Sequence, residues 1–324
     1  MAQVATVRGP ISTSALGTTL MHEHVFVLSP EIETNHPYGW DEDARVAQAV
    51  NKLNQLKLAG IDSIVDPTVV GLGRYIPRIQ RIAEQTELHI LVATGLYTYN
   101  ELPHFFDYRG PGTILGGDDP MVEMFVKDIT EGIADTGVKA AFLKCATDHQ
   151  GVTPGVERVL RAVARAHRLT GAPILTHTHA ESHQGTHQQR IFVEEGVDLS
   201  RVVIGHCGDT TDLDYLEELI GRGSYVGMDR FGLDAILPFE DRVATVAALC
   251  ERGHADHVVL AHDASCFIDW IPEDALSVAL PNWHFLHITN DVLPALRQRG
   301  VAEEQIEQML VVNPMNYFGA SGAY

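Results

Sequence analysis

Cysteine is scarce in this chain. Four residues in 324, Cys145, Cys207, Cys250 and Cys266, form no Cys-x-x-Cys pair and are too few for a disulfide framework. A reducing cytoplasm is the simplest expectation. Positive charge is also short, with 23 Lys and Arg against 43 Asp and Glu for a formal charge of −20, and no basic cluster of the kind that neutralises phosphates. That excludes nucleic acid and anionic membrane as the main partner and favours a small substrate that is not highly anionic. No run approaches the roughly 20 apolar residues of a membrane span, and the first 20 residues have neither a basic nor an apolar leader region. The expectation is a soluble, unprocessed chain. Gly/Ser-rich linkers, charge blocks and low-complexity segments are missing too, so nothing in the pattern divides it.

Repetition fills the space between. Short β-branched or apolar runs recur at 20–27, 63–70, 89–97, 140–147, 172–179, 202–208, 224–231 and 257–264. Stretches of helical periodicity follow them, at 41–58, 77–85, 120–134, 154–169, 184–195, 212–222, 240–252 and 286–299. Prolines open several of these helices and glycines close them. Eight strand–helix units, with runs apolar enough to be buried on both faces, predict a parallel (β/α)8 TIM barrel of one domain over 1–324. An open doubly wound sheet is the alternative, but it needs a glycine-rich phosphate turn after the first strand, and none is present. Residues 1–19 read as a cap on the barrel floor, and 302–310 as a final helix.

Active sites of such barrels lie at the C-terminal ends of the strands. The first run carries His22 and His24, which strand alternation points to one side. The fourth places Lys144 in an otherwise apolar strand, where an unpaired ammonium is costly. The fifth carries His177, the sixth His206 and the eighth Asp263. Imidazole and carboxylate converging on one mouth are the ligands of catalytic divalent metals, and suit Zn, Fe, Co or Mn.

The motifs Gly17-Thr18-Thr19-Leu20-Met21-His22-Glu23-His24, Leu143-Lys144-Cys145-Ala146, Thr176-His177-Thr178, Val203-Ile204-Gly205-His206-Cys207-Gly208-Asp209, Gly227-Met228-Asp229-Arg230-Phe231-Gly232 and His262-Asp263 occur in order along nearly the whole chain. In them the sequence resembles the phosphotriesterase family of the amidohydrolase superfamily, and more closely its phosphotriesterase-like lactonases. The resemblance implies two divalent metal ions, one held by His22, His24 and Asp263 and the other by His177 and His206. Lys144 would bridge them as a carbamate formed with CO2, which turns a repelled cation into a ligand. A bridging hydroxide would be the nucleophile, with Asp263 taking and delivering its proton. Tyr97 and Arg230 are then expected beside the substrate, Arg230 paired with Asp209. His179 matches no ligand position, His262 points away from Asp263, and Cys145 and Cys207 face the opposite side of their strands.

Between Asp263 and the last barrel helix lie about 22 residues too apolar for disorder. They are expected to form a long loop over 264–286 that walls an acyl channel, with Cys266, Phe267, Ile268, Trp270 and Ile271 at its mouth. The activity these features suggest is opening of the lactone ring of N-acyl-homoserine lactones, a quorum-quenching reaction, with promiscuous organophosphate hydrolysis. A dedicated phosphotriesterase and a non-catalytic metal-binding barrel are the alternatives. The family likeness also implies a homodimer.

Overall fold

The structure is a computed structural model and describes residues 2–36, 40–320 and 322–324. Its strands are β1 (Gln3–Thr6), β2 (Gly9–Ser12), β3 (Thr19–Leu20), β4 (His24–Val27), β5 (Ser63–Asp66), β6 (His89–Gly95), β7 (Phe142–Ala146), β8 (Ile174–His177), β9 (Val202–Ile204), β10 (Tyr225–Met228), β11 (Val258–Leu260) and β12 (Ser265–Ile268). Eight of them pair side by side in the order β3-β5-β6-β7-β8-β9-β10-β11, every pair parallel. The Met21 amide donates to Leu260 O (3.1 Å), which draws the two outer strands together and brings the sheet round into the expected barrel.

Alternation along the strands builds two apolar layers. In β7, Phe142 joins Val65, Leu91, Leu175 and Val203 in the lumen, whereas Leu143 and Cys145 face the surrounding helices. Lys144 therefore shares the inward side of Phe142, one step nearer the mouth. On the floor, the β1–β2 hairpin and the helix Asn313–Gly319 bring Val4, Tyr317 and Phe318 under that lumen layer. The helices start and stop close to the expected positions. Thr153 caps the helix Pro154–Thr170 by accepting from the Val156 amide, and Gly171 (φ 78°) closes it in the left-handed region.

Three expectations change. The first run is not one strand: β3 lies in the barrel, the chain bends at Met21–Glu23, and β4 leaves to pair with β12 in a separate two-stranded ribbon. His22 and His24 are thus aimed by a bend rather than by pleat alternation. The 264–286 segment is structured, with β12 followed by a helix over Glu273–Ala279. The predicted 302–310 helix is a helix over Glu303–Glu307, a π turn over Gln308–Val312 and the floor helix. No helix among the described residues is long and apolar enough to cross a membrane.

Candidate metal centre

His22, His24, Lys144, His177, His206 and Asp263 all line one cavity of about 190 Å³ at the C-terminal ends of the strands. Asp263 is its hub. Its Oδ1 lies 3.3 Å from His22 Nε2 and 3.2 Å from His24 Nε2, and its Oδ2 lies 3.8 Å from His206 Nε2. The His206 ring centroid is 4.8 Å from that of His22 and 4.4 Å from that of His177. Lys144 Nζ is 3.4 Å from His22 Nε2 and donates to Thr176 O (3.3 Å). Two of these residues hold backbone conformations uncommon outside glycine, His206 at φ 60° and Asp263 at φ 56°. Such geometry persists only where the surroundings enforce it, and functional sites are where it collects.

Each imidazole is turned by a partner on its outer nitrogen. Asp229, fully buried, accepts from His22 Nδ1 (3.0 Å) with one oxygen and from His206 Nδ1 (2.9 Å) and the His206 amide (2.8 Å) with the other. His24 Nδ1 meets the Thr68 hydroxyl (2.7 Å), which donates to Asp66 (2.6 Å). His177 is held through Nε2 by Asp148 (2.7 Å), leaving Nδ1 toward the cavity, 3.4 Å from the Tyr97 hydroxyl. Carboxylates on the outer nitrogens fix the tautomer and raise the basicity of the inner ones, the arrangement found around metal-binding histidines. Asp229, Asp148, Asp66 and Thr68 were not singled out by the sequence reading. Asp229 lies in a quoted motif, but nothing in its spacing showed that it would meet two histidines. Tyr99 was also missed: its hydroxyl bonds that of Tyr97 and its ring lies 5.3 Å from that of His177.

Burial and mutual repulsion set the charge states. Desolvation, with Lys144 nearby, lowers His22 to about 4, and desolvation lowers His177 to about 4. Both rings are therefore neutral near pH 7. Burial also lowers Lys144 to about 8, so a usable fraction of neutral amine exists at physiological pH. Burial alone would raise the Asp263 carboxyl, but His22, His206, His24 and Arg230 together hold it well below its ordinary value. Neutral imidazoles and an ionised carboxylate around one cavity, with a buried amine beside them, are a donor set that fits divalent metals. His22, His24 and Asp263 bring one donor atom each within 4.8 Å of one another.

Arg230 pairs with Asp209 as expected (2.9 Å) and also donates through Nε to Asp263 Oδ2 (2.9 Å). Asp209 lies 2.8 Å from the fully buried Arg242 as well, so this is an interior network rather than a surface pair. The cavity wall contains Ile268, Trp270 and Ile271, joined by Val27, Leu72, Leu233, Ile236 and Trp283. Cys266 and Phe267, expected beside them, do not line it. The β4–β12 register explains why: Phe267 sits next to Phe26, and both meet Trp40 on the outer side, with Arg45 over the Phe267 ring at 3.9 Å. Cys266 is buried with its Sγ 4.0 Å from Ala49 O. Ile268, next to Val27, is the β12 apolar residue that faces the cavity. His262 bonds Glu23 and does not line the cavity, and His179 bonds Ser182.

The chain matches the phosphotriesterase family over residues 2–318. The solved structure described as the phosphotriesterase from Mycobacterium tuberculosis superposes with a TM-score of 0.98 at 64% identity, covering 99% of this chain and 100% of that one. An aryldialkylphosphatase of Saccharolobus solfataricus is 39% identical over 95% of this chain and 96% of its own length. A structure described as an organophosphate hydrolase engineered from a weak promiscuous lactonase template has a TM-score of 0.89 at 36% identity, covering 98% of this chain and 100% of that one. With this sequence similarity along its length and a shared barrel, the chain belongs to the phosphotriesterase family of hydrolases.

Proposed function

We propose that this hydrolase opens the lactone ring of N-acyl-homoserine lactones and hydrolyses organophosphate triesters as a side reaction. One observation carries the reading: the wall of Leu72, Leu233, Ile268, Trp270 and Ile271 leads directly to the histidine cluster, with the Tyr97 hydroxyl at its inner end. A neutral ring with an apolar tail matches that wall, and the acidic chain supplies no basic pocket for a polyanion.

His22, His24 and Asp263 would hold one divalent ion and His177 with His206 the other, with Lys144 joining them as its carbamate. When bound, the ions supply Lewis-acid polarisation and a water acidic enough to attack near neutral pH. Asp263 would take a proton from the attacking water and return it to the departing ring oxygen. Arg230, fixed by Asp209, holds Asp263 in place through its Nε donation to Oδ2. Tyr97, whose hydroxyl is kept protonated by burial and by Tyr99, donates toward the ring oxygen. The leaving oxygen stays tethered, so the product is a hydroxy acid.

Turnover of a long-chain acyl-homoserine lactone against paraoxon tests the reading. A higher kcat/KM for the lactone is expected, and a strong preference for paraoxon would instead favour the dedicated phosphotriesterase that the aryldialkylphosphatase relative suggests. Asp263→Asn is expected to abolish both activities while the protein stays folded; retained activity would remove Asp263 from the mechanism. The four free, buried cysteines support a reducing cytoplasm. The exposed Phe105, Tyr108, Ile114 and Leu115 support a homodimer, which a monomer in sedimentation equilibrium would rule out.

A further inference from the structure

Between His22 and His24 stands a carboxylate that the centre itself does not use. Glu23 is fully buried. Its Oε1 accepts from the His262 amide (2.8 Å) and from His262 Nδ1 (2.6 Å), and its Oε2 accepts from the Ala264 amide (3.1 Å). Those two amides flank Asp263. The Asp263 amide in turn donates to His22 O (3.0 Å), and the His24 amide donates to Ala264 O (2.8 Å). Three consecutive amides are thereby fixed onto residues 22–24, around Asp263, whose φ of 56° an ordinary side chain rarely adopts.

The same carboxylate reaches the channel. His262 Nε2 accepts from the Ile288 amide (2.9 Å), so the ring is neutral and carries its proton on Nδ1, toward Glu23. His262 O accepts from Trp283 Nε1 (2.9 Å), and Trp283 lines the cavity. One buried side chain thus ties the turn carrying the hub carboxylate to the end of the segment that walls the site.

We propose that Glu23 is a positioning residue: its carboxylate holds the 262–264 turn so that Asp263 projects into the metal centre, and through His262 it fixes the Trp283 side of the channel. Both oxygens are used as acceptors. A glutamine of the same shape presents only one acceptor oxygen, and its NH2 would face the His262 or Ala264 amide, leaving a buried donor unmet. The inference rests on Asp263 as a metal-holding, proton-carrying group and is independent of which substrate is preferred.

The test is Glu23→Gln, with Zn2+ affinity of the metal-stripped protein measured by chelator competition alongside kcat and KM on a long-chain lactone and on paraoxon. Zn2+ affinity is expected to fall about 10–100-fold, with kcat lowered by one common factor on both substrates. A lower Tm with unchanged Zn2+ affinity and kcat would overturn the proposal and leave Glu23 as packing alone. His262→Gln supplies the second arm, and stands in if Glu23→Gln does not fold. It keeps both backbone donations to Glu23 but cuts the link to Ile288, so wild-type Zn2+ affinity and a raised KM are expected. Unchanged KM, or a loss of Zn2+ affinity in this variant, would overturn the coupling. Failure of the lactonase reading would appear differently, as a preference for paraoxon in the unaltered protein.

Discussion

Four of the seventeen histidines meet at the centre, and acidic neighbours make them usable as ligands. Asp229 serves two of the four histidines, accepting from three donors on them. Asp229→Asn keeps the volume but offers a single acceptor oxygen, so one imidazole loses its orientation. Metal affinity, measured by equilibrium dialysis, is expected to fall about 10–100-fold with the fold retained; an unchanged affinity would refute the role. The wall residues separate as sharply. Trp270, 53% exposed and lining the cavity, should raise KM for a long-chain lactone when replaced by alanine and leave a short-chain one unaffected. Phe267→Ala should lower Tm, through its lost contacts with Trp40 and Arg45, without moving either KM. Equal effects from the two variants would contradict the register argument. The inward residues were legible because each stands in or at the end of an apolar strand run, where a polar group has few structural uses. Their orienting carboxylates were not: Asp229 is 207 positions from His22, and no local pattern announces a contact closed only by the barrel.

At the scale of elements, what could be read was whatever two-faced burial writes into sequence. β7 and β9 are apolar on both sides because lumen and helices cover them, and both were found. The break between β3 and β4 was hidden, since the bend is held by partners at Leu260, Val65 and Ala264 rather than by its own residues. β12 was hidden for the same reason, as among the described residues it pairs with β4 alone. Gly95 shows how tightly the strands carry the centre. It sits at φ 149°, and a Cβ there would meet Lys144 O at 1.9 Å. Gly95→Ala must therefore push β6 from β7 at the lysine itself, and is expected to lower Tm and reduce metal uptake together. Wild-type uptake in a folded variant would show that the centre tolerates strand movement. A helix far from the site gives a pH test. On Pro154–Thr170, burial lowers His167 from its ordinary 6.5, while its nitrogens bond Ala172 O and the Tyr324 hydroxyl. The unfolded chain then takes up a proton first as pH falls. The stabilisation is present above pH 6.5 and lost below it, at up to about 1.4 kcal/mol per pH unit. Urea midpoints at about pH 7.5 and about pH 5.5 should differ more in the wild type than in His167→Gln; an equal difference would mean His167 is not held neutral.

Across the whole molecule, a charge of −20 surrounds a cavity in which the Asp263 carboxylate is offset by Arg230 and by the divalent metals the donor set fits. On the proposed lactonase reading, a neutral lactone would approach without long-range attraction or repulsion, whereas its hydroxy-acid product would leave as an anion into a field that expels it. Association of a neutral substrate should therefore be insensitive to ionic strength. An anionic substrate should gain as salt screens the repulsion, because the Debye length shrinks from about 30 Å at 0.01 M to about 8 Å at 0.15 M. The measurement is kcat/KM across that range for an acyl-homoserine lactone and for a lactone carrying a carboxylate on its tail. A flat line for the first and a rise for the second are expected. A fall with salt for the carboxylated lactone would mean that the positive mouth outweighs the acidic surface, and that anionic substrates are drawn in rather than turned away.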